Sequence, residues 1–417
     1  MLKEVRFKDW KSFRNATLFI DPLTVLVGTN ASGKSNALDG IAFLSRAAQG
    51  HNLASALTGG ASALADTTAN PIRGGVEWAA MKPGKTFTLE ARLEGPDQTD
   101  YEYSLTVRTM PQIEVASESL SQASGRRIRL FEANAEGEGA PGIPATLYNG
   151  RGQRRRFEFR NSVSIISQVV GKEVRQEIVR GAEAVISVLA SVFILDPVPT
   201  LMRSYSPLST QLAHDASNLA GVLAGLPEPE KERIETSLSA YVSRLPEGEV
   251  QKVWAEPAGR FKTDAMLYCT ESWAKGYPLE VDARGMSDGT LRFLAILTAL
   301  LTRPRRTLIV IEEVDNGLHP SRTKLLLHVL REIGAKREID VLITTHNPAL
   351  LDQLGPEMTP FVVFAHRSPE TGESLLTLLE DVANLPKLLA LGPLGALTTR
   401  GYIEQGLAGD WGTVHES

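Results

Sequence analysis

The run Gly28-Thr29-Asn30-Ala31-Ser32-Gly33-Lys34-Ser35 has the spacing G-x-x-x-x-G-K-[ST] of a loop that cradles phosphate. Its glycines let successive backbone N–H groups turn inward around an anion, and a helix starting at the lysine adds the positive end of its dipole. Lys34 supplies charge to the outer phosphates, Ser35 offers a hydroxyl to Mg²⁺, and the nucleotide-binding set extends to Asn36. About 275 residues later, Leu308-Ile309-Val310-Ile311 ends in two adjacent carboxylates, Glu312 and Glu313. Alone, such a pair reads as a solvated turn. Beside a phosphate loop it divides into a metal-organising Glu312 and a water-polarising Glu313. Upstream, Gly285-Met286-Ser287-Asp288-Gly289-Thr290 opens a helix, with Ser287 at the N-cap and Gly289 allowing close backbone approach. Asp315 lies in the turn after the glutamates, and His346 follows the next strand in Thr344-Thr345-His346-Asn347-Pro348.

The elements that must position these residues follow from periodicity. Two short strands are expected in residues 2–20, and Leu23-Thr24-Val25-Leu26-Val27 is a compact run of the kind buried in a parallel sheet. A helix from about Lys34 to Ala47 places Ala37, Ile41, Phe43 and Leu44 near one face. From about 72 to 160 apolar and polar residues alternate, as in half-exposed antiparallel strands. Helical spacing returns over 172–195 and roughly 215–245, the second stretch closed by Pro246, and a strand pair is expected near 250–282. Helix 288–302, strand 307–311, helix 321–334 and strand 339–344 then alternate in the rhythm of a parallel α/β sheet. Three domains are expected: 1–160, an N-terminal lobe with the phosphate loop and the antiparallel region; 161–250, a helical insert; and 251–417, a C-terminal lobe.

Composition narrows the function classes. The 417 residues, 42% hydrophobic and 22% charged, fall in the globular range. No stretch approaches the roughly 20 apolar residues of a membrane span, and the N-terminus lacks a signal peptide's apolar block, so the chain reads as cytoplasmic with no membrane partner. The single cysteine, Cys269, excludes an internal disulfide or a cysteine metal cluster and reads as a small buried hydrophobe. A net charge of −5 argues against a globally basic DNA-binding domain, although Arg151–Arg156 (RGQRRR) could meet phosphate or form a solvated loop.

In this order, the motifs resemble the ABC-type nucleotide-binding fold, in its SMC/RecF/OLD-like branch. The resemblance implies an α/β ABC-type P-loop NTPase head, here carrying a β-rich lobe and a helical insert. It makes Ser287, Asp288, Gly289 and Thr290 the signature segment, Glu312 and Ser35 the metal ligands, Glu313 the catalytic glutamate, Asp315 the D-loop residue and His346 the switch histidine. Two departures stand out: Glu312 replaces the usual Walker B aspartate, and Asp288 stands where transporters have glycine. A carboxylate near phosphate must point away or be neutralised. Gln168 is a candidate Q-loop residue outside the site set. The chain also resembles a narrower group of bacterial predicted ATPases through Trp10-Lys11-Ser12-Phe13, through Asp215-Ala216-Ser217-Asn218-Leu219 after an Arg-Ser stretch, and through Leu391-Gly392-Pro393-Leu394.

In this branch the signature segment acts on the nucleotide of a second copy, so the resemblance implies an ATP-dependent head-to-tail homodimer with ATP as substrate and Mg²⁺ as cofactor. Missing coiled-coil heptads set aside a cohesin-like machine. About 70 residues follow His346 without a cluster of acidic metal ligands, which leaves no room for a nuclease domain. The favoured reading is an ATPase that regulates a separately encoded nuclease or toxin in anti-phage defence. A RecF-like repair ATPase acting on DNA and an ATP-binding scaffold with little turnover are the alternatives.

Overall fold

The computed structural model describes residues 1–59, 71–123, 125, 127–140, 142–149, 154–245, 250–273 and 277–408. Pro246 and residues 151–153 of the arginine-rich run lie outside this set. The chain divides into two compact units: Met1–Val192 with Phe361–Ala383 and Glu404–Ser417, and Phe193–Pro360 with Asn384–Ile403.

In the first unit the expected N-terminal strands, Leu2–Trp10 and Phe13–Phe19, form a hairpin that joins the expected β-rich region in one antiparallel sheet. Its eight strands run in the order Phe13–Phe19, Leu2–Trp10, Thr86–Glu94, Asp100–Arg108, Glu114–Gln122, Ile128–Asn134, Ile143–Tyr148 and Arg154–Phe159. Strict alternation explains the pairing: Asp100–Arg108 buries every second residue and pairs in register from Thr86↔Arg108 to Glu94↔Asp100. The arginines at 154–156 are not in a loop but begin the last strand, exposed, with Arg156 bonded to Glu136. On the buried face, Trp10, Phe43 and Phe87 pack with ring centroids 4.7–6.0 Å apart, which seats the helix Lys34–Ala48 on the sheet. That helix is buried nearly all round rather than along one face, because the helix Gln176–Ala190 also packs on it. The strand Leu23–Val27, buried at every position, runs parallel to Val362–Arg367, whose hairpin partner is Ser374–Leu378.

In the second unit, Phe193–Leu195, Leu308–Ile311 and Asp340–Thr345 pair in parallel, in that order. The helices Asp288–Thr302 and Pro320–Arg337 form where the periodicity places them and pack together. The expected strand pair near 250–282 is three antiparallel strands, Val250–Ala258, Asp264–Trp273 and Tyr277–Asp282, with Ser206–Pro207 added at the edge. Cys269 is buried there, and burial pushes its thiol up to about 12. Helical spacing over 172–195 and 215–245 becomes Gln176–Ala190 in the first unit and Leu219–Gly225 and Glu228–Val242 in the second.

Candidate functional site

The phosphate loop belongs to the first unit. It leaves the strand Leu23–Val27, turns through Ala31 at φ 64° and Gly33 at φ 118°, and enters the helix at Lys34. Gly33 is required twice: its φ lies in the left-handed region, and a Cβ would stand 2.6 Å from Ser374 Oγ. The Lys34 ammonium folds into the loop and donates to the carbonyls of Gly28 (2.6 Å) and Thr29 (3.0 Å). Ser32 Oγ is buried and has no hydrogen-bond partner among the described residues. An orphaned hydroxyl, an inward ammonium and a helix N-terminus suit a polyphosphate, so the loop fits the group its spacing implies.

The turn at Trp10–Phe13 braces this loop. Trp10 Nε1 donates to Asn36 O at 2.7 Å, and the Asn36 amide donates to Ser12 Oγ at 2.7 Å, which commits that side chain within the protein. Ser374 Oγ donates to Ser12 Oγ at 2.8 Å. Lys11 donates to Asp39, and burial lowers the Lys11 pKa although Asp39 opposes the shift. Arg367, which sequence reasoning missed, donates from Nε to Ala31 O at 2.9 Å. No local pattern marks it; only the hairpin Val362–Leu378 brings it to the loop. Gln168 is occupied in a loop clamp, donating to the carbonyls of Arg160, Val163 and Ser164 and accepting from Arg160 N.

The second unit carries the remaining site residues. Leu308–Ile311 is wholly buried and delivers Glu312 and Glu313 at its end. The Glu312 amide donates to Leu195 O at 3.4 Å. The Glu313 amide donates to Thr344 Oγ1 at 2.8 Å and Val314 N to Thr344 O at 3.1 Å, so the end of the neighbouring strand fixes the turn. Glu313 sits at φ 46°, a conformation of order 1–3 kcal/mol above the ordinary regions that must be held by its surroundings. Its carboxylate lies 3.7 Å from His346 Nδ1, and both side chains are about half exposed. Asp315 is buried and accepts from Thr345 Oγ1 at 2.8 Å. Ser287 caps its helix as expected, accepting from Thr290 N at 3.1 Å. Gly289 closely approaches the turn that follows Asp315: a Cβ there would lie 2.9 Å from Gly317 O. Asp288 turns to Arg203, Nη2 to Oδ1 2.5 Å. The unit thus brings together Glu313 with His346, Asp315 with the strand end, and the start of the helix at Gly289 with the turn at Gly317.

Residues 23–251 and 270–352 match the family model described as "AAA domain, putative AbiEii toxin, Type IV TA system". The chain belongs to this family. A segment of this AAA-family chain is 29% identical over 128 residues to the methionine import ATP-binding protein MetN of Rhizobium meliloti (strain 1021), covering 28% of this chain and 34% of that protein. The match thus spans about a third of that relative's length. Among solved structures, an SMC head bound to the C-winged helix domain of ScpA superposes with a TM-score of 0.50 at 15% identity, covering 90% of this chain and 96% of that one. The SMC head domain from Thermotoga maritima gives 0.43 at 13% identity, covering 90% and 98%. The fold is therefore α/β, that of an ABC-type P-loop head similar to SMC heads, and the family is that of the AAA domain. No helix among the described residues is long and apolar enough to cross a membrane.

Proposed function

We propose that the chain binds and hydrolyses ATP as a head-to-tail homodimer and uses the cycle to regulate a separately encoded effector, a nuclease or toxin, in bacterial defence against phage. One observation carries the hydrolytic part: Glu313 and His346 stand 3.7 Å apart at the ends of two buried parallel strands, in a chain whose phosphate loop is complete. The loop amides and Lys34 hold the β- and γ-phosphates. Ser35 and Glu312 carry the hard oxygen donors that Mg²⁺ prefers, and the ion, when bound, offsets charge on the transferring phosphate. Glu313 orients the attacking water and takes its proton, while His346 senses the γ-phosphate. Ser287 and Gly289 of one copy meet the γ-phosphate held by Lys34 and Ser35 of the other, so loss of that phosphate weakens the dimer. The family's toxin–antitoxin description supports a partner encoded separately.

The test separates the two glutamates. Glu313→Gln keeps size but removes the charge that polarises water, so ATP hydrolysis should fall by about 10²–10⁴-fold while ATP and Mg²⁺ binding survive and a dimer accumulates in light scattering. Glu312→Gln should weaken Mg²⁺ binding and dimer formation together. Two indistinguishable variants, or normal hydrolysis by Glu313→Gln, would overturn the assignment.

A further inference from the structure

Asp288 poses a physical difficulty: a carboxylate on the segment proposed to meet γ-phosphate repels it unless neutralised. Two motifs that the ATPase assignment does not use bear on this, the Arg203-Ser204 pair and Asp215-Ala216-Ser217-Asn218-Leu219. Both lie in the same unit as Asp288.

Among the described residues the Arg203 guanidinium makes four hydrogen bonds, all to the proposed signature segment and the turn that leads into it. Nη1 donates to Ala283 O (3.0 Å), Arg284 O (2.9 Å) and Met286 O (2.7 Å), and Nη2 donates to Asp288 Oδ1 at 2.5 Å. These carbonyls immediately precede the Ser287 cap, so a single side chain sets the path of the backbone into the helix and draws the Asp288 carboxylate aside. A planar fork of donors suits this; a lysine could offer the charge but not the geometry. The second motif and the helix that follows it brace the chain on either side of Arg203. Ser206, three residues on, accepts from Gly221 N at 2.9 Å. Asp215 O accepts from Val198 N, Asp215 Oδ1 from Ser217 N, and Asn218 closes the loop by donating to Gln211 O and accepting from Ala213 N. The same stretch begins at Leu195, whose carbonyl accepts from Glu312 N.

We infer that Arg203 is a positioning residue of the ATPase cycle: it neutralises Asp288 and fixes residues 283–287, so that Ser287 and Gly289 can meet a phosphate. The inference rests on the proposed role of the signature segment. Its test has one arm that depends on that role and one that does not.

The independent arm is hydrogen exchange of the full chain without nucleotide. Arg203→Ala should speed exchange of the amides of residues 283–290 while leaving those of Leu308–Ile311 and Asp340–Thr345 as in wild type. The dependent arm is steady-state hydrolysis for wild type, Arg203→Ala, Arg203→Lys, Asp288→Asn and the double variant Arg203→Ala/Asp288→Asn. Arg203→Ala should lower kcat at least about tenfold, toward the roughly hundredfold cost of a misplaced reacting group, with nucleotide affinity held within about twofold. Arg203→Lys should fall between. The double variant should recover several-fold over Arg203→Ala, because removing the stranded charge relieves what the arginine relieved; a purely structural arginine would show no such recovery. Unchanged exchange in Arg203→Ala overturns the inference whatever the kinetics. Faster exchange with wild-type kcat, or no recovery in the double variant, overturns the positioning role. Faster exchange in a chain whose wild type does not hydrolyse ATP supports the grip of Arg203 on the segment and overturns the proposed function instead.

Discussion

Lys34 places its ammonium against two carbonyls of its own loop. Lys34→Ala leaves a helix that tolerates alanine but removes that charge, so nucleotide binding should weaken by about 3 kcal/mol or more, beyond about a hundredfold in affinity. Calorimetry with ATP reads this directly, and wild-type affinity would refute the loop assignment. A second residue sets a pH dependence. Glu118 is buried and accepts from Tyr103 Oη (3.1 Å), Ile165 N (2.6 Å) and Ile166 N (2.8 Å), yet burial raises its pKa from 4.5 to about 7. Below 4.5 both folded and unfolded chains hold the proton. Between there and about 7 only the folded chain does, so this group's stabilisation declines as pH rises and is gone above about 7. Glu118→Gln cannot ionise. Its melting temperature relative to wild type should therefore rise from pH 5 to pH 8, and a constant difference would place the titration elsewhere. Strand alternation alone gives no warning of Glu118, because a glutamate among serines reads as an exposed position.

The elements around the paired glutamates were legible as elements: a four-residue apolar strand, two helices and a second strand form within a few residues of where periodicity sets them. What periodicity could not supply is how the turn after the strand is held. Thr344 and Thr345 end the second strand, and their hydroxyls accept from Glu313 N and donate to buried Asp315. Two consecutive threonines read as ordinary β-formers, since β-branching favours a strand whatever the hydroxyl does. Thr345→Val keeps the shape and leaves the Asp315 carboxylate short of a donor in a buried place, so it should cost about 1–3 kcal/mol. Urea denaturation should show this as a lower midpoint at unchanged slope; an unchanged midpoint would mean that the Asp315 contact contributes nothing.

For the assembled molecule the decisive variant is Ser287→Arg. In the proposed homodimer a bulky cation at this cap blocks the γ-phosphate site of the neighbouring copy, so hydrolysis should fall more than about a hundredfold while ATP still binds to the single chain. Turnover at the wild-type rate would end the two-chain reading. Residue type and spacing determined, without any coordinates, the Gly-rich turn into the helix at Lys34, the carboxylate pair at a strand end and the helix cap at Ser287, because each depends on neighbours within about one turn or one strand. Tertiary structure alone decided the supports: Trp10 and Ser12 on Asn36, Arg367 on Ala31, Arg203 on Asp288, and the division of two helical stretches between two units. The reason is physical. Periodicity reports which face of an element is buried but not against what, and an arginine's donors carry no local mark of the acceptor they meet 85 residues further along the chain.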